Sequence, residues 1–243
     1  MSLVKIISFS LWGSLAKYTV GALENAKLAL EIYPEWICRY YVGKSTFRDA
    51  PEIIAHLSKM DNVQIIAMED EGDWSGMFWR FLACADLDVD IVLSRDCDSR
   101  LSWREKFAVD EWINSGKSFH IMKDHPQHDC HILGGMWGTR TNKLRNIDLL
   151  ISNFKVDNYW QVDQEFLSEV IFPMVKDDCF IHDEFYGGAK FPTQRIDYQF
   201  VGEVFDENNI RNPNHWVELK KNLEERNKWY LRFISKFFMV TLI

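Results

Sequence analysis

Short apolar runs alternate with amphipathic stretches through the first 115 residues, and this alternation constrains the fold more than any other feature. Val4–Ser8, Trp36–Val42, Val63–Met68 and Asp90–Ser94 are apolar runs of strand length, as expected of strands buried on both faces. Between the first two, Val20, Leu23, Ala26, Leu30 and Tyr33 recur three or four residues apart, on one helical face that Pro34 closes. Pro51–Met60 and Gly76–Ala85 are predicted as further helices. Ser102 and Glu105 form a capping box for another, which Asn114, Ser115 and Gly116 terminate. Such repetition calls for parallel strands joined by crossover helices on both faces. Beyond it, Ser118–Met122 and Gly135–Thr139 are strand candidates, and Asp163–Ile171 is a predicted helix stopped by Pro173. The expectation is an α/β chain: one Rossmann-like domain over residues 1–200, with a mostly parallel central sheet flanked by helices, and a helical C-terminal extension over 201–243.

A chain of 243 residues buries a sufficient core without disulfides or structural metals. Its net charge of −8 argues against a sequence-independent nucleic-acid partner, which needs cations to displace counterions. Five scattered cysteines without a CxxC pair favour a reducing compartment, so a cytoplasmic location is expected. The opening MSLVKIISFS has no long apolar core or cleavage site and is taken as the first strand. No stretch offers ~20 uninterrupted apolar residues to span a bilayer. Ten Trp and 17 Phe are many, and such aromatics often line clefts for ring-shaped ligands. Near the C-terminus, Trp216, Leu219, Leu223, Tyr230, Phe233, Phe237 and Val240 continue one helical stripe, broken only by Arg226. Lys228, Arg232 and Lys236 lie four apart in the same segment. A peripheral membrane contact through residues 228–243 is one reading of that pattern; docking on the same chain or on a second subunit is the other.

The chemistry concentrates in Asp90-Ile-Val-Leu-Ser-Arg-Asp-Cys-Asp-Ser-Arg100, where an apolar strand runs into two aspartates one residue apart. Ligands of open α/β sheets bind at the carboxyl ends of strands, where this motif falls. Asp96 and Asp98 on an extended segment can both reach a hard cation such as Mg²⁺ or Mn²⁺. Arg95 and Arg100 can grip phosphate oxygens. Metal and arginine together suit a diphosphate leaving group, on which negative charge develops. The plainer reading has the two aspartates capping the turn after their strand. Three His and Cys130 within residues 125–131 could suggest zinc, but their spacing matches no zinc module, and the run reads as a loop at the mouth of an acceptor site.

Ile6–Gly13, Lys17–Ala22, Phe78-Trp79-Arg80-Phe81, Arg95–Arg100, Gly134-Gly135-Met136-Trp137-Gly138 and Asp163-Gln164-Glu165-Phe166-Leu167 follow one another in a set order. Taken together they resemble the GT-A nucleotide-sugar glycosyltransferases, the small bacterial and large-DNA-virus members of chlorella-virus type above all. The resemblance covers roughly residues 3–195. It implies that Ser8, Ser10 and Trp12 hold the nucleoside, and that Asp96 and Asp98 meet the donor through a divalent metal. It implies that Arg80 approaches the donor sugar or diphosphate and that His182 is a third metal ligand. An imidazole beside two carboxylates would favour Mn²⁺ over Mg²⁺. Asp163 is the catalytic candidate: base for the acceptor hydroxyl in an inverting enzyme, or positioner of the donor sugar in a retaining one. It could also be a helix N-cap. Gly135, Trp137 and Gln164 are expected on the acceptor side, with a core role open for Trp137.

The expected function is therefore a metal-dependent hexosyl- or deoxyhexosyltransferase, moving a sugar from a UDP-sugar donor to a carbohydrate or lipid-linked acceptor. Two rivals remain: a metal-dependent phosphohydrolase or nucleotidyltransferase, and a non-catalytic nucleotide-sugar-binding module.

Overall fold

The computed structural model describes residues 3–154 and 158–240. Seven strands form one sheet: β1 (Lys5–Leu11), β2 (Ile37–Val42), β3 (Val63–Ala67), β4 (Ile91–Ser94), β5 (Phe119–Lys123), β6 (Trp137–Arg140) and β7 (Cys179–Asp183). Their order is β3-β2-β1-β4-β6-β5-β7. Only β6 runs against its neighbours; every other described pairing is parallel. The helices are α1 (Ala16–Ile32), α2 (Lys44–Asp49), α3 (Pro51–Leu57), α4 (Trp103–Ser115), α5 (Ile147–Asn153), α6 (Val162–Phe166), α7 (Phe172–Val175) and α8 (Pro213–Val240). A 3-10 helix, Trp74–Ala85, stands where an ordinary helix was expected. The predicted α/β architecture is correct, and the reversed β6 is its one antiparallel insertion.

Local chemistry explains the boundaries. Ser102 Oγ accepts the Glu105 N–H at 3.2 Å, and Gly116 ends α4 at φ 74°, so the N-cap and C-cap form; the Glu105 carboxylate takes Arg95 and Tyr33 rather than returning to the cap as the box required. Pro173 does not stop its helix. A π-helical turn, Leu167–Ile171, precedes it, and the helix continues through Val175 because the wide turn accommodates a residue without an N–H. The core has two main layers. One packs Phe9, Tyr40 and Trp112 with the alanines of α1; the other packs Phe81, Phe119, Trp137 and Phe166 on the opposite face.

Residues 201–211 pack against the sheet-end loops. Val201 N donates to Asp124 Oδ2 at 2.9 Å and Phe205 N to Asp98 O at 2.8 Å, so this segment closes over the D-x-D loop. α8 docks on the same chain through Arg226, which donates to Glu184 O at 2.7 Å and covers the Phe185 ring. The side chains of Arg232 and Lys236, and residues 241–243, lie outside the described residues, so the membrane reading of 228–243 is not addressed there. Among the described residues no helix is long and apolar enough to cross a membrane.

Candidate active site

β2 and β3 lie on one side of β1 and β4 on the other, so a crevice opens where the strand order reverses. A cleft of about 640 Å³ occupies that place. Its floor is Ser10, Leu11 and Trp12 from the end of β1, with Asp96, Cys97 and Asp98 from the end of β4. Arg80 and Met77 of the 3-10 helix, Asp163 and Gln164 of α6, and Gly202 and Val204 complete the walls.

Glycines set the close contacts. A Cβ on Gly21 would overlap the Cys97 carbonyl, so α1 lies directly against the D-x-D loop. Asn25, one turn on, donates to Ser99 O at 2.9 Å and accepts from Leu101 N at 3.0 Å, clamping the loop's far end. A Cβ on Gly135 would overlap the Asp96 carboxylate, and one on Gly134 would overlap Asp163 and Arg80. The Gly134-Gly135 pair therefore makes room for the charged cluster, and Gly135 itself lines neither cleft. Gly72, at φ 100°, leaves space for the Trp12 side chain.

The cluster itself is Asp96–Arg80–Asp163. Arg80 pairs with Asp96 through one terminal nitrogen and with Asp163 Oδ2 at 2.7 Å through the other. Arg80 and Asp163 are buried, whereas the Asp96 side chain is 42% exposed to the cleft. Burial works against the Arg80 charge, but the two facing carboxylates hold its pKa above the usual value. Burial raises the Asp163 pKa against the pull of Arg80, and Asp96 adds to the rise. Asp163 Oδ1 is buried without a partner. Asp163 is not the N-cap of α6; Gln161 holds that place at φ 71°. Asp98 is 14% exposed and takes a 3.1 Å ion pair from Lys17. Its pKa is raised by burial first and by Asp96 second.

Four sequence-predicted site residues lie elsewhere. His182 is buried on β7, with Nδ1 2.8 Å from His120 Nε2 and Nε2 3.1 Å from Glu111, so both ring nitrogens are engaged away from the D-x-D. Arg95 points into the core, donating to Glu105 at 2.7 Å and to Trp137 O at 2.9 Å. Strand alternation turns it away from the face that Asp96 occupies. Ser8 is buried one pleat below Ser10 and does not reach the cleft. Trp137 is a core residue, stacked on Phe119 at 5.3 Å. Arg100, which the sequence suggested for phosphate, ties the loop to Asn209 and Asp206 instead. His128 accepts the Asp124 backbone N–H, Cys130 bonds the Gln164 side-chain oxygen and His131 stacks on the Phe172 ring; no metal-type cluster of three such residues occurs among the described residues.

Ser10, Trp12, Arg80, Asp96, Asp98, Asp163 and Gln164 do converge on the cleft. Sequence reasoning missed Asn25, Lys17 as the partner of Asp98, and the exposed pair Trp74 and Trp160. A polar residue amid Ala22, Ala26 and Ala29 was the available signal for Asn25. As a test of fit for a divalent cation, the site offers two adjacent carboxylates facing a cleft, one of them destabilised in its charged form by the other. That suits a hard cation whose remaining ligands come from a bound diphosphate and water rather than from a closed protein cage.

No protein-family model matches the sequence, and no curated protein matches it significantly. Solved structures do. The S. aureus TarS fragment 1–349 in complex with UDP superposes with a TM-score of 0.52 at 10% identity, over 75% of this chain and 58% of that one. A second crystal structure of the TarS fragment 1–349 gives 0.51 at 12% identity, with the same coverage. A glycosyltransferase involved in the glycosylation of the major capsid of PBCV-1 gives 0.47 at 15% identity, over 75% of this chain and 82% of that one. The chain thus spans 58% of the TarS fragment's length. The likeness to the TarS fragment shows a shared α/β fold, in keeping with the GT-A-type architecture expected from the sequence.

Proposed function

We propose that the chain is a metal-dependent glycosyltransferase that moves a hexosyl or deoxyhexosyl group from a UDP-sugar to a carbohydrate or lipid-linked acceptor. The supporting observation is the convergence of Asp96, Asp98, Arg80 and Asp163 in one cleft at the switch point of a GT-A-type sheet.

Asp96 and Asp98 would hold Mn²⁺ or Mg²⁺, which when bound neutralises the charge developing on the departing diphosphate. The chain's own groups supply the rest. Trp12, braced by Trp79 at 6.1 Å, offers an aromatic edge at the nucleoside end of the cleft. Ser10 Oγ accepts the Arg80 backbone N–H at 3.0 Å and so fixes the helix that carries the guanidinium. Arg80 is cationic at the floor and anchors Asp163 through Oδ2, leaving Oδ1 to accept a hydrogen bond from a substrate hydroxyl. A carboxylate with a raised pKa and one free oxygen can take that hydroxyl's proton or hold a sugar in place.

Calorimetric titration of UDP, with Mn²⁺ and with EDTA, tests the proposal. We expect binding that requires the metal and is lost in Asp98→Ala, which leaves diphosphate charge uncompensated. Binding unaffected by EDTA and by Asp98→Ala would overturn the D-x-D assignment; no nucleotide binding at all would overturn the function.

A further inference from the structure

A second cleft, of about 390 Å³, opens beside the first and shares Leu133, Trp160, Gln161 and Gln164 with it. Its remaining walls include Tyr159, Asp129, Glu165 and Ser168. Trp160 is 65% exposed and Tyr159 40%, so two large ring systems stand in water at the junction of the clefts. The left-handed backbone of Gln161 turns the chain between exposed Trp160 and buried Asp163, placing the ring on the surface and the carboxylate on the floor. Cys130 Sγ lies 3.4 Å from Gln164 Oε1, which fixes that oxygen as an acceptor and leaves the amide N–H₂ to donate elsewhere. No Lys or Arg lines this cleft among the described residues, whereas Asp129 and Glu165 do.

Each feature selects a kind of ligand. Exposed aromatic faces stack on the C–H face of a pyranose ring, and carboxylates and amides bond its vicinal hydroxyls. Two carboxylates on a lining that has no Lys or Arg among the described residues disfavour phosphates and uronates. The shared wall lets one molecule extend from the second cleft to the neighbourhood of Asp163. We infer that the second cleft is the acceptor subsite and that it takes a neutral saccharide, with one sugar unit against Tyr159 and Trp160 and the next directed over Leu133 into the main cleft. This rests on the glycosyltransferase reading and narrows its acceptor to an uncharged glycan end.

The test titrates the full chain with cellobiose, lactose and maltose, and with an oligomer of glycerol phosphate as the anionic probe, following saturation-transfer NMR. UDP with Mn²⁺ is titrated separately. We expect at least one neutral disaccharide to bind and the anionic oligomer not to. Tyr159→Ala and Glu165→Gln, both at exposed positions that do not line the main cleft, should each weaken disaccharide binding about tenfold, as loss of a stack or a charged hydrogen bond predicts. UDP affinity should stay the same in both. Binding of the anionic oligomer in place of the disaccharides, disaccharide binding indifferent to both variants, or UDP binding with no disaccharide binding would each overturn the subsite. Disaccharide binding that depends on Tyr159 in a chain that never binds UDP would uphold the saccharide site and overturn the glycosyltransferase reading instead.

Discussion

The two halves of the sheet are held together by different forces. In the half formed by β3, β2, β1 and β4, backbone ladders and apolar contacts predominate beside the buried Arg95–Glu105 pair: Phe9 stacks on Tyr40 at 4.8 Å, and α1 lies against the D-x-D loop through Gly21 and Asn25. In the half formed by β6, β5 and β7, long loops are pinned by buried ion pairs. Asp124 is fully buried and takes Arg104 at 2.8 and 2.9 Å, Arg195 at 2.6 Å and the Val201 N–H. Arg211 and Glu203 pair at 2.7 Å a few residues on. The first half positions the charged chemistry, where tolerance for movement is small. The second half carries the loops that line the second cleft, and loops without a ladder need polar anchors to hold one conformation.

That contrast can be broken from either side. The largest effect is expected for Asp124→Ala, which deprives largely buried Arg195 of its carboxylate and leaves Arg104 with Glu184 alone, and should cost ~3–5 kcal/mol. Urea unfolding would measure it, and a loss under ~1 kcal/mol would show that the pins are dispensable. Next come two glycine substitutions that differ in what the new Cβ meets. Gly21→Ala collides with a backbone carbonyl and should destabilise by ~1–3 kcal/mol. Gly135→Ala meets a half-exposed carboxylate that can swing away, so stability should change little while Asp96 leaves its position and Mn²⁺-dependent UDP affinity falls at least tenfold. Equal stability losses in the two variants, or unchanged affinity in the second, would remove the distinction.

The same contrast decided what could be read in advance. Parallel strands of the first half are short continuous apolar runs, and the alternation with amphipathic helices was visible for that reason. The D-x-D was legible because it follows such a run directly. Elsewhere the signals fail for physical reasons. Arg95 and Asp96 are adjacent in sequence, but the pleat sends one into the core and the other into the cleft. His182 follows an apolar pair as a ligand at a strand end would, yet its strand lies three places from β4 in the sheet, too far to share a metal with Asp96. The glycines of Gly134-Gly135 were visible, but that they accommodate Asp96, Arg80 and Asp163 depends on long-range packing that no local pattern encodes.

The smallest expected effect sharpens the comparison through pH. His120 is buried in the second half, stacked on Trp112 at 5.2 Å, with Nε2 toward His182 and Nδ1 without a partner. Burial, followed by the neighbouring His182 and Arg95, holds its pKa well below 6.5. In the folded chain the ring therefore stays neutral where the unfolded chain takes up a proton. The unfolded state binds more protons as pH falls through about 6.5, so stability is full above that value and declines below it. The melting temperature should drop between pH 7 and pH 5, and His120→Gln, which cannot titrate, should flatten that slope while lowering stability at pH 7 through lost stacking. An unchanged slope in the variant would mean that the acid sensitivity arises elsewhere, and that the second half depends on its ion pairs rather than on a neutral imidazole.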